Sequence, residues 1–340
     1  MSIAVQTPFT APVVERLSIR VVVDSHYEHF LPRAEHEHVT IEHVGQIPGR
    51  PMTTLAGEWG LALHLESRAS GMGAQYMLDF GFTPEIINRN ISLLDIDPAR
   101  LDGLILSHGH RDHYGGLDGF VTQHRKAMKG DLSLYVGAEE AFSVRWVPTG
   151  PPPKPGGKRE YVSWGAPDRT SLVAQNVVPV CCPHPHALPG PFTTGYIARD
   201  TFEEVTGGSM LAPYDHFSEA ERRGELVRDS HPEEHATCYI VQGRGLVVIS
   251  SCGHAGIVNS VKTAMAVSGV DRLHAVIGGF HLATAKPDYI EHTIDELERL
   301  APDVVVPMHC TGPAFIEAMR RRMPERLVAS NLGSRFTFGV

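Results

Sequence analysis

Ser107-His108-Gly109-His110-Arg111-Asp112-His113 is the stretch on which the reading of this chain turns. Four potential metal ligands, three imidazoles and a carboxylate, fall within six residues of it. It follows directly on the short apolar run Gly-Leu-Ile-Leu at 103–106, which reads as a buried strand. A segment this short cannot be a regular helix that shows all four side chains on one face. A loop can turn His108 and His110 one way and Asp112 and His113 another, which suits two metal ions side by side. Nitrogen and carboxylate donors favour zinc, iron or manganese over calcium.

Outward from this stretch the chain breaks into alternating elements. β-Branched and apolar runs predict strands at 17–23, 60–66, 75–80 and 132–136, with helices at 83–94 and from 117 to about 128. The C-terminal third predicts a hairpin of strands at 237–242 and 245–250 around Gly243-Arg244. Helices at 256–268, 287–300 and 313–322 then alternate with strands at 274–278, 303–306 and 335–338. Strands cluster early and alternate with helices late, which indicates α/β architecture with two sheets or one mixed sheet under helices. Residues 1–16 read as a poorly ordered lead-in. Residues 17–340 read as one domain, with loop insertions at 24–58, 146–170 and 200–236. The middle insertion holds Pro-Thr-Gly-Pro-Pro-Pro-Lys-Pro-Gly-Gly-Lys, whose fixed and free φ angles both oppose regular structure.

The His-x-His-x-Asp-His pattern after a short strand, followed by Gly115-Gly116, resembles the signature of the metallo-β-lactamase superfamily. Leu78-Asp79-Phe80-Gly81 resembles that superfamily's Leu-Leu-Asp-Thr-Gly strand end. The resemblance implies an αββα sandwich of two mixed β-sheets flanked by helices, with the site where loops of both sheets meet. Further ligands are then expected downstream at strand ends. Three histidines fit: His254 after Leu-Val-Val-Ile-Ser-Ser-Cys-Gly, His281 after Ala-Val-Ile-Gly-Gly-Phe, and His309 after Asp-Val-Val-Val-Pro-Met.

The wording around them narrows the resemblance. Ser251-Cys252-Gly253-His254-Ala255-Gly256-Ile257 is similar to the Gly-Cys-Ser-His-Ala-Gly-Ile motif of the branch of 7,8-dihydropterin-6-methyl-4-(β-D-ribofuranosyl)aminobenzene 5'-phosphate synthase-like proteins. Gly278-Gly279-Phe280-His281-Leu282 and Met308-His309-Cys310-Thr311-Gly312 match two other segments of that branch. Two departures stand out. Where many superfamily hydrolases end a strand in a metal-bridging Asp, this chain has Cys252 and His254. The usual mid-chain histidine has no clean counterpart, and His184 and His186 are its candidates.

On this resemblance, His108, His110 and His254 are assigned to one metal, and Asp112, His113 and His309 to the other. Asp112 and His281 are the catalytic candidates, and Asp79, Cys252, His184, His186 and His26 are supporting or pocket residues. The cofactor expected is one or two divalent transition metal ions, zinc first, with iron or manganese as alternatives. The implied activity is that of a hydrolase using a metal-bound hydroxide on a small phosphoester, lactone or related substrate. A transferase that displaces pyrophosphate from an activated pterin is the alternative, with the indoles of Trp59, Trp146 and Trp164 available in the rim. A non-catalytic metal or ligand sensor comes third.

Composition agrees with this reading. Of 340 residues, 42% are hydrophobic and 20% charged, enough apolar surface for a sizeable core. The net charge of −9 disfavours a nucleic-acid partner, because phosphates repel an acidic surface. Five cysteines with no Cys-x-x-Cys pair do not form a disulfide framework. The opening Met-Ser-Ile-Ala-Val-Gln-Thr-Pro has no basic region leading into an apolar run, so a cytoplasmic chain is expected, without a membrane partner. The partners expected are a small-molecule substrate and, at most, further copies of the chain. Twenty histidines remain the unusual number, and only strand-end placement separates those with a chemical reason from the rest.

Overall fold

The computed structural model describes residues 9–339 apart from 32–33, 151–153, 155–156, 158, 206 and 213–225. Two sheets face each other. The first runs in the order Val177–Cys181, Leu132–Val136, Gly103–Leu106, Met72–Leu78, Ala62–Ala69, Arg16–Val23, Arg335–Gly339 and Thr40–Glu42. The second runs His186–Ala187, Phe192–Thr193, Thr237–Val241, Gly245–Ser250, Leu273–Gly278 and Val304–Pro307, with Val13–Val14 also paired to Thr237–Val241.

Both faces of each sheet are covered, so the central strands need apolar residues at every position. The parity shows it. In Gly103–Leu106, Ile105 joins the core between the sheets, while Leu104 and Leu106 pack with Ile87, Leu117 and Phe120 of the helices outside. In Val304–Pro307, Val304 and Val306 enter the same inter-sheet core, while Val305 meets Ile257, Ile294 and Phe315 of the opposite helical layer. Helices Pro84–Leu93, Leu117–His124 and Arg169–Ala174 cover one side. Helices Ile257–Ser268, Pro287–Leu300 and Pro313–Arg322 cover the other, completing the αββα sandwich.

The centre of each sheet is parallel. Leu78 is in register with Ile105 and Leu106 with Val136, and in the facing sheet Ser250 is in register with Gly278 and Gly278 with Pro307. Parallel strands release their loops at the same edge, and a ligand site forms outside those carboxyl ends.

The segments read as insertions hold more structure than their composition indicates. Thr40–Glu42 extends the first sheet from within 24–58. Arg145–Pro148, Tyr161–Gly165, Met210–Leu211 and Val227–Arg228 form a third, four-stranded sheet from the other two. These strands are only two to five residues long, too short to show period-two alternation, and the Pro/Gly run is the connection between the first two of them. The lead-in contributes as well: Val13–Val14 pairs in parallel with Ile240 and Val241. Residues 1–8 of it, and 213–225 of the last insertion, lie outside the described residues. Among the described residues, no helix is long and apolar enough to cross a membrane.

Candidate metal centre

The loop after Gly103–Leu106 turns at once into the short helix Arg111–Tyr114, which buries Asp112 and His113. His108 and His113 lie with ring centroids 4.3 Å apart, and His108 and His110 with centroids 4.7 Å apart. The facing sheet brings His254 to 5.0 Å from His108 and 4.7 Å from His110, again between ring centroids. His309 comes to 4.9 Å from His113, with Nε2 to Nε2 at 3.2 Å and Nε2 3.4 Å from Asp112 Oδ2. His281 sits 4.2 Å from His254 between rings. All six expected ligands, and His281, therefore converge.

The expected mid-chain histidines do not join them. His184 and His186 are exposed, and His186 packs against Tyr135 at the edge of the second sheet. The interior place is taken by His231, which stacks on His254 at 3.9 Å and lies 4.9 Å from His110. One donor atom from each of His110, His231 and His254 lies within 4.8 Å of the other two, as do those of His113, Cys252 and His309. His26 is exposed and borders a separate cavity of about 380 Å³ beyond His309.

His231 belongs to Asp229-Ser230-His231-Pro232-Glu233-Glu234-His235, which does not lie at the carboxyl end of a strand of either facing sheet. That segment precedes strand Thr237–Val241 instead of following one. Its signal was five ionisable residues in seven, all five buried. Arg145, fully buried, anchors the segment. Its Nε donates to Asp229 Oδ2 at 2.9 Å, and its guanidinium also pairs with Glu233 Oε1. Asp229 in turn accepts from the His231 N–H at 2.9 Å and lies 3.7 Å from His110 Nε2. Glu234 accepts from the backbone N–H groups of His254 and Ala255 at 2.9 and 2.6 Å, fixing the opposite loop. On the first sheet Asp79 contacts His113 Nδ1 at 2.7 Å and accepts from the Ser107 N–H and Oγ–H, both at 2.8 Å. That contact settles which ring nitrogen of His113 faces the centre.

Backbone strain gathers here. Asp79, His231, His281 and His309 are four of the eight non-glycine residues with positive φ among those described. Such conformations cost about 1–3 kcal/mol each and persist where the surroundings over-determine them.

Burial holds His108, His231 and His254 well below the usual histidine value, with neighbouring imidazoles adding to the effect, so all three are neutral. For Asp112 burial pushes upward, but His113 and His309 outweigh it and keep the carboxyl ionised. Both ring nitrogens of His231, Nε2 of His108 and Oδ1 of Asp112 are buried without a hydrogen-bond partner. Each such atom costs about 1–3 kcal/mol unless something satisfies it. Neutral imidazoles beside an ionised carboxylate are the donors that a divalent transition metal satisfies, and the residues present fit one. The centre opens to a cavity of about 180 Å³ lined by Trp59, Trp164, Asp112, His254, His281 and His309, among others.

The sequence profile of the Metallo-beta-lactamase superfamily matches residues 70–165. A 7,8-dihydropterin-6-methyl-4-(beta-D-ribofuranosyl)-aminobenzene-5'-phosphate synthase of Methanocaldococcus jannaschii is 30% identical over 262 residues, covering 74% of this chain and 81% of the relative. An uncharacterised protein of the same organism is 23% identical over 252 residues, or 69% of this chain and 78% of that protein. The crystal structure of Tm1679, described as a metal-dependent hydrolase of the beta-lactamase superfamily, superimposes with a TM-score of 0.67 at 21% identity, covering 94% of this chain and 98% of that one. The chain belongs to the metallo-β-lactamase superfamily. Within it, the similarity is to the dihydropterin-ribofuranosylaminobenzene phosphate synthase branch.

Proposed function

We propose that this chain is a metal-dependent hydrolase of small substrates carrying a phosphoester, lactone or related group, with zinc as its first-choice ion. The observation that carries the reading is the set of buried donor atoms of His108, Asp112 and His231 that lack a hydrogen bond beside an open cavity. His110, His231 and His254 would hold one ion, with His108 beside them, and Asp112, His113 and His309 the second. When bound, such ions polarise an oxygen of the substrate and lower the pKa of water toward ~7. The chain's own groups do the rest. Asp112, kept ionised, accepts a hydrogen bond from the attacking group and holds it in line. Asp79 orients His113, and Asp229 orients His231 through its backbone N–H. His281, on the cavity wall, is placed to donate to the leaving group or to a phosphate oxygen.

A second reading, transfer to an arylamine with release of pyrophosphate, is supported by the 30% identity to the synthase. The two indoles on the cavity wall, Trp59 at 4.8 Å from His309 and Trp164 at 5.9 Å from His110, offer flat faces for planar rings. The test is turnover by metal-loaded and chelator-treated protein on phosphodiester, lactone and β-lactam panels, beside a pterin diphosphate with and without an arylamine. Metal-dependent hydrolysis of a panel member supports the first reading. Pyrophosphate release that requires both pterin and amine supports the second and overturns the first. Turnover unaffected by metal removal or by Asp112→Ala overturns both.

A further inference from the structure

We propose that Cys252, His281 and Cys310 form a thiolate-bearing subsite for a soft divalent ion, of the zinc or cadmium type, on the wall of the same cavity. The three residues come from three neighbouring parallel strands, Gly245–Ser250, Leu273–Gly278 and Val304–Pro307, in register at Ser250, Gly278 and Pro307. Each strand releases one donor two or three residues past its carboxyl end. Cys252 Sγ lies 3.3 Å from Cys310 Sγ and 3.3 Å from His281 Nδ1, and all three donor atoms lie within 4.8 Å of one another.

A tetrahedral zinc with Zn–S at ~2.3 Å and Zn–N at ~2.0–2.1 Å separates two sulfurs by ~3.8 Å and a sulfur from a nitrogen by ~3.6 Å. Opening the triad by a few tenths of an ångström therefore admits the ion. Gly279 permits the approach, because a Cβ there would stand 2.9 Å from Cys310 Sγ. Both cysteines are 3% exposed, yet all three residues line the cavity, which leaves a fourth position facing it. Three protein ligands with one open position is the arrangement of a reactive site, not of a sealed structural one. Two thiolates select soft ions over hard ones. M²⁺ binds both sulfurs as thiolates, and the protons they carry leave as the two metal–sulfur bonds form. His281 engages through Nδ1 and keeps its Nε2–H as a donor.

Cys252 also falls within donor groups containing His108 and His254, and His113 and His309, whereas Cys310 occurs only in this triad. Cys310 therefore decides the matter. None of the three residues belongs to the His110–His231–His254 group, so the subsite and the proposed function can fail separately. The full chain, stripped by chelator and kept reduced, is titrated with Co²⁺ and with Cd²⁺. The wild type is expected to show a thiolate-to-metal charge-transfer band of two-sulfur intensity. Cys310→Ser should halve it. His231→Gln should lower total metal uptake and leave the band in place. The ¹¹³Cd resonance of the wild type, which needs no variant to fold, should report two sulfur ligands. The proposal is overturned by no band at saturation, by a band unchanged in folded Cys310→Ser, by a ¹¹³Cd resonance of nitrogen and oxygen ligands alone, or by a Cys252–Cys310 disulfide that persists under reductant.

Discussion

Replacing Arg145 with Met removes the one guanidinium that two buried carboxylates share. Asp229 and Glu233 are both buried, and Arg145 reaches each of them, as well as the Glu140 carbonyl at 3.0 Å. Breaking a buried ion pair from one side costs about 3–5 kcal/mol, because the charge left behind stays buried and loses its counter-charge. Against a usual total stability of about 5–15 kcal/mol, that is about a fifth of the whole or more. The loss has a pH dependence with a definite sign. Burial pushes Glu233 up to about 7, even though Arg145 pulls it down. Without Arg145 the carboxyl rises further and carries its proton through neutral pH. A group whose folded pKa is raised loses its contribution as pH increases, so Arg145→Met should be worse at pH 8 than at pH 6. Adding Glu233→Gln should recover part of the deficit. Urea unfolding of chelator-stripped protein reads the cost from the midpoint at constant slope. A loss under about 1 kcal/mol, or one independent of pH, would refute the buried-network reasoning.

Three further outcomes are expected. Asp79→Asn keeps a residue that tolerates positive φ but no longer holds His113 as a carboxylate does, so metal affinity should fall about 10–100-fold with the fold retained, measured by competition with a chromophoric chelator. The metal-free protein should lose stability as pH falls below 6.5: His108, His231 and His254 stay neutral when folded and protonate when unfolded, each costing about 1.4 kcal/mol per pH unit, while His309, raised to about 9, is protonated in both states there. Chemical unfolding at pH 7.0, 6.0 and 5.5 checks the slope. Trp164→Ala should raise KM for a planar substrate about 5–150-fold, at ~1–3 kcal/mol per lost ring contact, and leave the metal content unchanged by elemental analysis.

The layered fold was legible because burial on two faces leaves a plain trace. Runs such as Gly-Leu-Ile-Leu and Val-Val-Val-Pro admit few readings other than central strands. The strand-end histidines were legible for the same reason, since each follows such a run. His231 was not, because it enters the centre from the amino-terminal side of Thr237–Val241, through a polar segment that looked like a rim. Its placement depends on Arg145, 86 positions earlier in the chain, and no local pattern carries that pairing. His184 and His186 were candidates only because the resemblance calls for a mid-chain histidine, and both are exposed at the surface. The third sheet escaped because two-residue strands depend on partners far away in sequence.

The most direct test of the account is anomalous diffraction from crystals of the chain loaded with zinc or manganese. Density is expected bounded by His110, His231 and His254, with a second histidine-bound ion bounded by Asp112, His113 and His309. Stoichiometric loading that leaves no density among His110, His231 and His254, with those side chains unmoved, would contradict it, whatever the occupancy at Cys252, His281 and Cys310.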